Sequence, residues 1–174
     1  MQRFAITGLG RSGTASLAEY LNQTIDWTVE HEPVDDRFEP VRILQDRFAA
    51  DRYGEVNSWL RFAIQAIQVE AKLVIVRDPI EIFASMYNRG DERLSHLNEG
   101  LLALDSAIRS GIPWIRFRDM VEKPWQVGEA VGIQGLPRER LPIRNASETR
   151  RKIPKRLAIK ASKVLRWFGE EYRI

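Results

Sequence analysis

The first seventeen residues constrain the fold of this chain more than any other stretch. An apolar run at residues 4–6 leads into a loop with three glycines, and residues that favour a helix follow from Thr14. Glycines allow a tight turn that points backbone N–H groups inward, and a helix N-terminus carries roughly half a positive charge. The stretch therefore predicts a strand, a loop and a helix that together bind a phosphate or a sulfate.

Two known patterns overlap in this loop. Gly8, Gly10 and Gly13 match G-x-G-x-x-G, the dinucleotide-binding pattern, which places a ribose-binding acid about twenty residues later, near Glu30 or Glu32. Gly8 and Gly13, followed by Thr14, also have the glycine spacing of the P-loop frame G-x-x-x-x-G, but the lysine of that frame is absent.

The side chains of the loop favour the second pattern. Arg11 lies within it, and Ser12, Thr14 and Ser16 supply hydroxyl groups. A cation and several hydroxyls suit a charged terminal oxyanion better than the apolar packing of a dinucleotide loop. We therefore interpret the stretch as a modified P-loop.

Length and composition narrow the function classes. A chain of 174 residues predicts a single domain over residues 1–174. The absence of cysteine excludes disulfides and thiolate metal sites, and two histidines offer little to a metal centre, so we expect no metal. We find neither a targeting leader nor an apolar run near the roughly 20 residues that span a bilayer, so we expect a soluble, cytoplasmic protein.

Positive charge is concentrated towards the C-terminus. Residues 138–166 contain eleven lysines and arginines and two glutamates, whereas the whole chain has a net charge of +3. Such a segment can bind nucleic acid, a polyanionic substrate or cofactor phosphates, or it can be a solvated helix face. No nucleic-acid motif accompanies it, so we expect no nucleic-acid partner. Residues 155–172 are predicted to form a basic amphipathic helix.

The remaining segments alternate between strand and helix patterns. Strands are predicted at residues 27–32, 72–76 and 114–118, with a short extended piece at 55–59. Residues 72–76 form a continuous apolar run, which is typical of a strand buried on both faces. Helices are predicted at residues 14–21, 40–53, 60–67, 79–88, 90–108 and 124–131, in addition to 155–172. This order predicts an α/β fold, a three-layer α/β/α sandwich with a mainly parallel sheet, similar to P-loop nucleotide-binding proteins.

Chemically reactive residues follow two of these strands. In a parallel sheet, ligands bind beyond the carboxyl ends of the strands, where Glu30, His31, Glu32 and Arg77 are expected. Strand alternation places Glu30 and Glu32 on one side and His31 on the other. A carboxylate or an imidazole at this edge could act as a general base.

Taken together, these residues resemble the sulfotransferases, which move a sulfuryl group from 3′-phosphoadenosine 5′-phosphosulfate to a hydroxyl or an amine. The first cofactor segment of that family, R-S-G-T-[ST]-x-L, is similar to residues 11–17. Its second segment is an arginine that ends a central strand and a serine eight residues later, as in Arg77 and Ser85. Residues 55–60 and 115–124 are more loosely similar, so the resemblance spans most of the chain.

The resemblance implies a role for each residue of the two segments. The cofactor-binding residues would be Gly10, Arg11, Ser12, Gly13, Thr14, Ala15, Ser16, Arg77 and Ser85. The loop N–H groups and hydroxyls would hold the 5′ end of the cofactor, and Arg77 and Ser85 would hold its 3′-phosphate. Arg11 would take the place of the family's lysine and stabilise charge on the leaving phosphate without acting as an acid.

The resemblance also implies a general base and an acceptor. Glu32 is favoured as the base, with His31 and Glu30 as alternatives. The acceptor would be a small molecule, a lipid or a carbohydrate, bound by residues 34–59 and 91–110. The nearest counterpart of the family's third segment, Arg-Lys-Gly, is at residues 150–152.

Three other functions remain open on the residues alone. A P-loop nucleotide or small-molecule kinase would bind ATP with magnesium. A dinucleotide-dependent oxidoreductase would bind NAD through Glu30 or Glu32. A non-catalytic anion-binding module would recognise a partner through the basic C-terminal helix.

Overall fold

A five-stranded parallel sheet forms the centre of the molecule. The computed structural model describes residues 2–33, 45–143 and 153–174. The strands are β1 (Arg3–Gly8), β2 (Thr28–His31), β3 (Tyr53–Val56), β4 (Ala71–Val76) and β5 (Trp114–Arg116). They lie in the order β2-β3-β1-β4-β5, and every neighbouring pair is parallel. All five carboxyl ends therefore meet at one edge of the sheet.

Helices cover both faces of this sheet. They are α1 (Thr14–Thr24), α2 (Pro79–Tyr87), α3 (Leu94–Arg109), α4 (Phe117–Glu122), α5 (Trp125–Val131) and α6 (Lys155–Tyr172), with a 3₁₀ helix at Ser58–Phe62. Buried residues of α1, α4 and α5 belong to one apolar cluster. Those of the 3₁₀ helix, α2, α3 and α6 belong to a second. The predicted α/β fold with a parallel sheet is confirmed, and the two clusters give it three layers.

Alternation along the strands divides the core between the two faces. Ala5 of β1 packs in the cluster with α2, α3 and α6, whereas its neighbours Phe4 and Ile6 pack in the other. The same alternation runs through β4, where Val74 and Ile75 are completely buried on opposite faces. β4 pairs with β1 and β5, so it is the strand buried on both faces that its apolar sequence predicts.

β3 is the strand that the sequence predicts least well. It begins at Tyr53, within the helix predicted for residues 40–53, of which residues 40–44 lie outside the described ranges. Gly54 permits the strand to lie beside β1, because a Cβ at this position would overlap the ring of Phe4. Glu55 is completely buried, which an apolar strand pattern does not anticipate.

Two other boundaries differ from prediction. The helix predicted over residues 60–67 is a short 3₁₀ helix followed by turns, with Ala63 N–H donating to the Leu60 carbonyl. The strand predicted over residues 114–118 ends at Arg116, and Phe117 begins α4. The second change brings Phe117 to the pocket at the carboxyl edge of the sheet.

The predicted C-terminal helix is confirmed with the same bounds, Lys155–Tyr172. It buries Ala161, Leu165 and Phe168 and keeps its basic residues on the exposed face. Residues 144–152 of the basic segment lie outside the described ranges. No helix within those ranges is long and apolar enough to cross a membrane.

Candidate functional site

The loop after β1 closes as a tight turn. The backbone N–H and the hydroxyl of Ser12 both donate to the Leu9 carbonyl, at 3.0 and 2.5 Å. Arg11 and Gly13 adopt left-handed backbone conformations, with φ of 73° and 81°. A Cβ on Gly13 would lie 2.7 Å from Phe117 Cε2, so this position requires glycine for both its conformation and its space.

The turn delivers the chain directly into α1. Leu17 N–H donates to the Gly13 carbonyl at 3.0 Å, which is the first bond of the helix. Thr14, Ala15 and Ser16 form the first turn of α1, where the backbone N–H groups point away from the body of the helix. Since all three residues line the same pocket, this end of α1 offers N–H groups and a positive helix end to an anion.

His31 and Glu32 face this helix end from β2. His31 Nε2 lies 3.2 Å from Thr14 Oγ1 and 3.8 Å from Glu32 Oε1. The prediction that strand alternation places them on opposite sides is wrong, because β2 ends at His31 and Glu32 has a left-handed φ of 45°. Glu30 lies apart from the pocket and accepts a 2.8 Å hydrogen bond from the Tyr53 hydroxyl.

Burial of this hydroxyl among carboxylates changes its acidity. The pKa of Tyr53 is raised far above its ordinary value, chiefly by burial and then by the hydrogen bond to Glu30 and the charge of Glu55. Tyr53 therefore remains a neutral hydrogen-bond donor, and its bond to Glu30 holds that carboxylate away from the pocket.

Ser58, the first residue of the 3₁₀ helix, hydrogen-bonds the carboxylate of Glu32. The Ser58 hydroxyl donates to Glu32 Oε1 at 2.5 Å, and the Ser58 N–H donates to the same oxygen at 3.3 Å. Ser58 is held in turn by Asn57, whose side chain accepts from the Trp59 N–H at 2.8 Å and so caps the 3₁₀ helix. The sequence placed Ser58 in the predicted acceptor-binding segment 34–59 and did not predict its hydrogen bond to Glu32.

The Asn57 side chain also contacts a buried ion pair, formed by Glu55 and Arg47. Asn57 Nδ2 donates to Glu55 Oε1 at 2.7 Å. Arg47 binds both oxygens of the same carboxylate, at 3.1 and 3.2 Å. A buried carboxylate needs such partners, since burying a charge without them is costly. Glu55 therefore links the sheet to the segment that positions Glu32.

Arg77 and Ser85 enter the site from β4 and α2. The Arg77 guanidinium donates to the Arg11 carbonyl at 2.8 Å, bonds Glu81 at 3.1 and 3.2 Å, and stacks 4.2 Å from the ring of Phe117. The Ser85 hydroxyl accepts a 3.0 Å hydrogen bond from Arg11 Nε. In the structure, Ser85 is thus hydrogen-bonded by the guanidinium of Arg11, whereas that of Arg77 bonds Glu81 and the Arg11 carbonyl.

One pocket gathers most of the predicted residues. Its cavity volume is about 910 Å³. The predicted residues that line it are Gly10, Arg11, Gly13, Thr14, Ala15, Ser16, His31, Glu32, Arg77 and Ser85. Ser12 does not line it, because its buried hydroxyl is turned into the loop.

The segments predicted to bind an acceptor are only partly in the pocket. Ser58 and Trp59 line it, whereas the described lining contains no residue of the segment 91–110. Most of that segment is α3, which packs on the 3₁₀ helix and α6. The predicted acceptor residues 34–44 and the basic cluster 150–152 lie outside the described ranges.

The pocket is rich in arginine. Besides Arg11 and Arg77 it contains Arg89, Arg118 and Arg140, which sequence analysis did not select. Burial and then the nearby charges of Arg89 and Arg77 lower the pKa of Arg11 below its ordinary value. The only available signal for Arg89 was its spacing, four residues after Ser85.

The described part of the chain contains no group of three or more histidine, cysteine or acidic side chains that could hold a metal ion. The expectation that the site works without a metal remains a prediction. The chain matches no protein-family model and no curated protein.

Proposed function

We propose that the chain is a sulfotransferase that moves a sulfuryl group from 3′-phosphoadenosine 5′-phosphosulfate to a hydroxyl or amine acceptor. The observation that carries the proposal is the common pocket of the two anion-binding segments. The N-terminus of α1 and the pair Arg77 and Ser85 line one cavity, together with His31 and Glu32. The resemblance noted in the sequence pairs these same elements.

The charges of the pocket fit a ligand with two anionic groups. Five arginines and three glutamates line it, and two of the glutamates pair with Arg77 and Arg118. The first-turn N–H groups of α1 add further positive potential to the pocket. A Cβ at Gly10 would meet nothing within 4 Å, so the loop leaves open space beside these donors.

In the transfer step, bonds change between the cofactor and the acceptor, and the protein takes little covalent part. When bound, 3′-phosphoadenosine 5′-phosphosulfate supplies the sulfuryl group, whose bond to the acceptor forms as its bond to the 5′-phosphate breaks. The α1 N–H groups stabilise negative charge that collects on the 5′-phosphate side.

Glu32 is the favoured group to accept the proton of the acceptor. All the hydrogen bonds that Glu32 receives from described residues end on Oε1, so Oε2 is available to face an acceptor. The bond from Ser58 orients the carboxylate, and a positioned base accelerates proton removal. His31, 3.8 Å from Glu32 Oε1, is the alternative base.

A kinase function fits the pocket less well. The described lining contains no lysine. In the P-loop frame that begins at Gly8, the lysine that supports phosphoryl transfer would directly follow Gly13, where this chain has Thr14.

The test is calorimetric titration of the wild-type protein with three nucleotides: 3′-phosphoadenosine 5′-phosphate, ADP with magnesium, and NAD. We expect binding of the bisphosphate alone. Binding of ADP with magnesium would favour the kinase, binding of NAD would favour the oxidoreductase, and binding of none would favour the non-catalytic module.

A second test addresses the base. Sulfuryl transfer from the cofactor to a panel of phenols, sugars and primary amines should fall strongly in Glu32→Gln, and further when His31→Asn is added. Transfer that survives the loss of both side chains would rule out this base.

A further inference from the structure

Arg11 and Ser85 create a polar position away from the N-terminus of α1. The guanidinium of Arg11 reaches across the pocket to α2, where its Nε donates to the Ser85 hydroxyl at 3.0 Å. Ser85 is the seventh residue of a nine-residue helix, so it lies near the negative end of α2. The negative end of α2 repels an anion beside Ser85, so binding an anion there requires strong positive charge from neighbouring side chains.

Arg89 lies where it can supply that charge. The helical course continues beyond Tyr87, because Asn88 N–H donates to the Ala84 carbonyl and Arg89 N–H donates to the Met86 carbonyl. Residues four apart on a helix are neighbours on one face, so Arg89 follows Ser85 on the side that lines the pocket.

No carboxylate of the described residues forms an ion pair with the guanidinium group of Arg11 or of Arg89. By contrast, Arg77 is bound to Glu81 and Arg118 to Glu122. The charge of Arg89 acts on Arg11 strongly enough to lower its pKa, after the larger effect of burial. Two close cations that repel each other gain most from a shared anion.

From this arrangement we infer that Arg89, together with Arg11 and Ser85, binds the ribose 3′-phosphate of the nucleotide. The inference rests on the proposed function and deepens it, since it names the residue that reads the second phosphate. Arg77 then acts as a support, because its guanidinium is engaged with Glu81, the Arg11 carbonyl and the Phe117 ring.

The test compares two nucleotides that differ only in this phosphate, 3′-phosphoadenosine 5′-phosphate and adenosine 5′-phosphate. Both are titrated calorimetrically into the wild type, Arg89→Ala and a control, Arg93→Ala. Arg93 bonds Asp91 and does not line the pocket, although it is only four residues further along the chain. Arg89 is exposed, so its loss leaves the fold intact.

We expect Arg89→Ala to weaken the bisphosphate at least about tenfold, the effect of a lost charge-assisted hydrogen bond, and to leave the monophosphate nearly unchanged. Arg93→Ala should change neither affinity. Arg89→Lys should recover part of the loss, because it keeps the charge and loses the planar fork.

The two possible failures are distinguishable. If the wild type does not bind the bisphosphate, the proposed function fails and this inference fails with it. If the wild type binds the bisphosphate and Arg89→Ala binds it equally well, only the role of Arg89 is overturned. Equal weakening of both nucleotides would also overturn it, since Arg89 would then contact the 5′ end.

Discussion

The hydroxyl of Ser58 donates a hydrogen bond of 2.5 Å to Oε1 of Glu32, from a residue 26 positions later in the chain. Glu32 follows an edge strand and Ser58 begins the 3₁₀ helix after the neighbouring strand. The bond therefore ties two adjacent carboxyl ends of the sheet together at the point where a general base is proposed. A left-handed φ at Glu32 turns its side chain towards this partner.

A double-mutant cycle should detect this bond without any substrate. Ser58→Ala, Glu32→Ala and the double variant should show a coupling of about 1–2 kcal/mol in the free energy of unfolding, measured with urea. Pairing Ser58→Ala with Glu81→Ala serves as the control, because Glu81 bonds Arg77 instead. A coupling near zero for Ser58 and Glu32 would mean that the hydroxyl does not hold the carboxylate in solution.

The buried ion pair of Glu55 and Arg47 should be important for stability. Glu55→Leu removes a carboxylate with no exposed side-chain surface, and we expect a loss of roughly 3–5 kcal/mol. Adding Arg47→Met should recover part of this loss by removing the buried cation as well. The control Asp26→Asn breaks an exposed pair with Arg52 and should cost under about 1 kcal/mol. Chemical denaturation of the wild type and the three variants measures these differences in the free energy of unfolding. A cost for Glu55→Leu as small as that of the control would contradict the expectation.

Gly13 and Gly10 offer a matched pair of loop substitutions. Gly13→Ala forces an alanine into a φ of 81° and against Phe117, so we expect a loss of about 1–3 kcal/mol and weaker binding of 3′-phosphoadenosine 5′-phosphate. Gly10→Ala places its methyl group in open space and should leave thermal stability nearly unchanged. Equal melting temperatures for the two variants would show that the loop does not require a left-handed residue at position 13.

Acid should selectively remove the contribution of Glu70 to the free energy of unfolding. A bidentate hydrogen bond with Arg3, at 2.6 and 2.8 Å, is the main reason why the pKa of Glu70 is lowered from 4.5 to about 2. A carboxyl with a lowered pKa stabilises the native state above its unfolded pKa, and this contribution disappears as the pH falls through the native value. The wild type should thus be more stable than Glu70→Gln above pH 4.5, with the difference vanishing as the pH approaches 2.

The background variant Arg3→Gln checks the cause of this dependence. Without the guanidinium, the Glu70→Gln substitution should lose most of its pH-dependent effect on unfolding between these limits, leaving the smaller part due to a backbone hydrogen bond and the N-terminal charge. A pH dependence of undiminished size in that background would place the cause in another neighbour of Glu70.

Local sequence patterns were sufficient for much of the fold. The continuous apolar run of β4, the proline that opens α2 and the amphipathic pattern of α6 each predicted the element that the structure contains. These signals work because hydrophobic periodicity and proline geometry act within a few residues. The glycine loop and the strand ends also predicted which side chains would meet at one edge.

Patterns were less informative where packing overrides them. Tyr53 belongs to a strand rather than to a helix, because β3 is held by β1 and β2 on its two sides and by the Phe4 ring over Gly54. Glu55 looks like a surface residue in the sequence, yet its partner Arg47 makes burial possible. No local window contains the contact of Phe4 with Gly54, and the pairing of Arg47 with Glu55, although these residues are only 8 positions apart, still depends on how β3 packs.

The sequence alone determined most of the segments that become strands and helices, and that a glycine-rich loop, an arginine and a serine would gather at the carboxyl edge of a parallel sheet. Only the tertiary structure decided which side chains bond there: Ser58 to Glu32, and Arg11 to a serine 74 residues away. The physical reason is distance along the chain. Secondary structure follows from local periodicity, whereas hydrogen bonds between side chains depend on where remote segments pack, to within a fraction of an ångström.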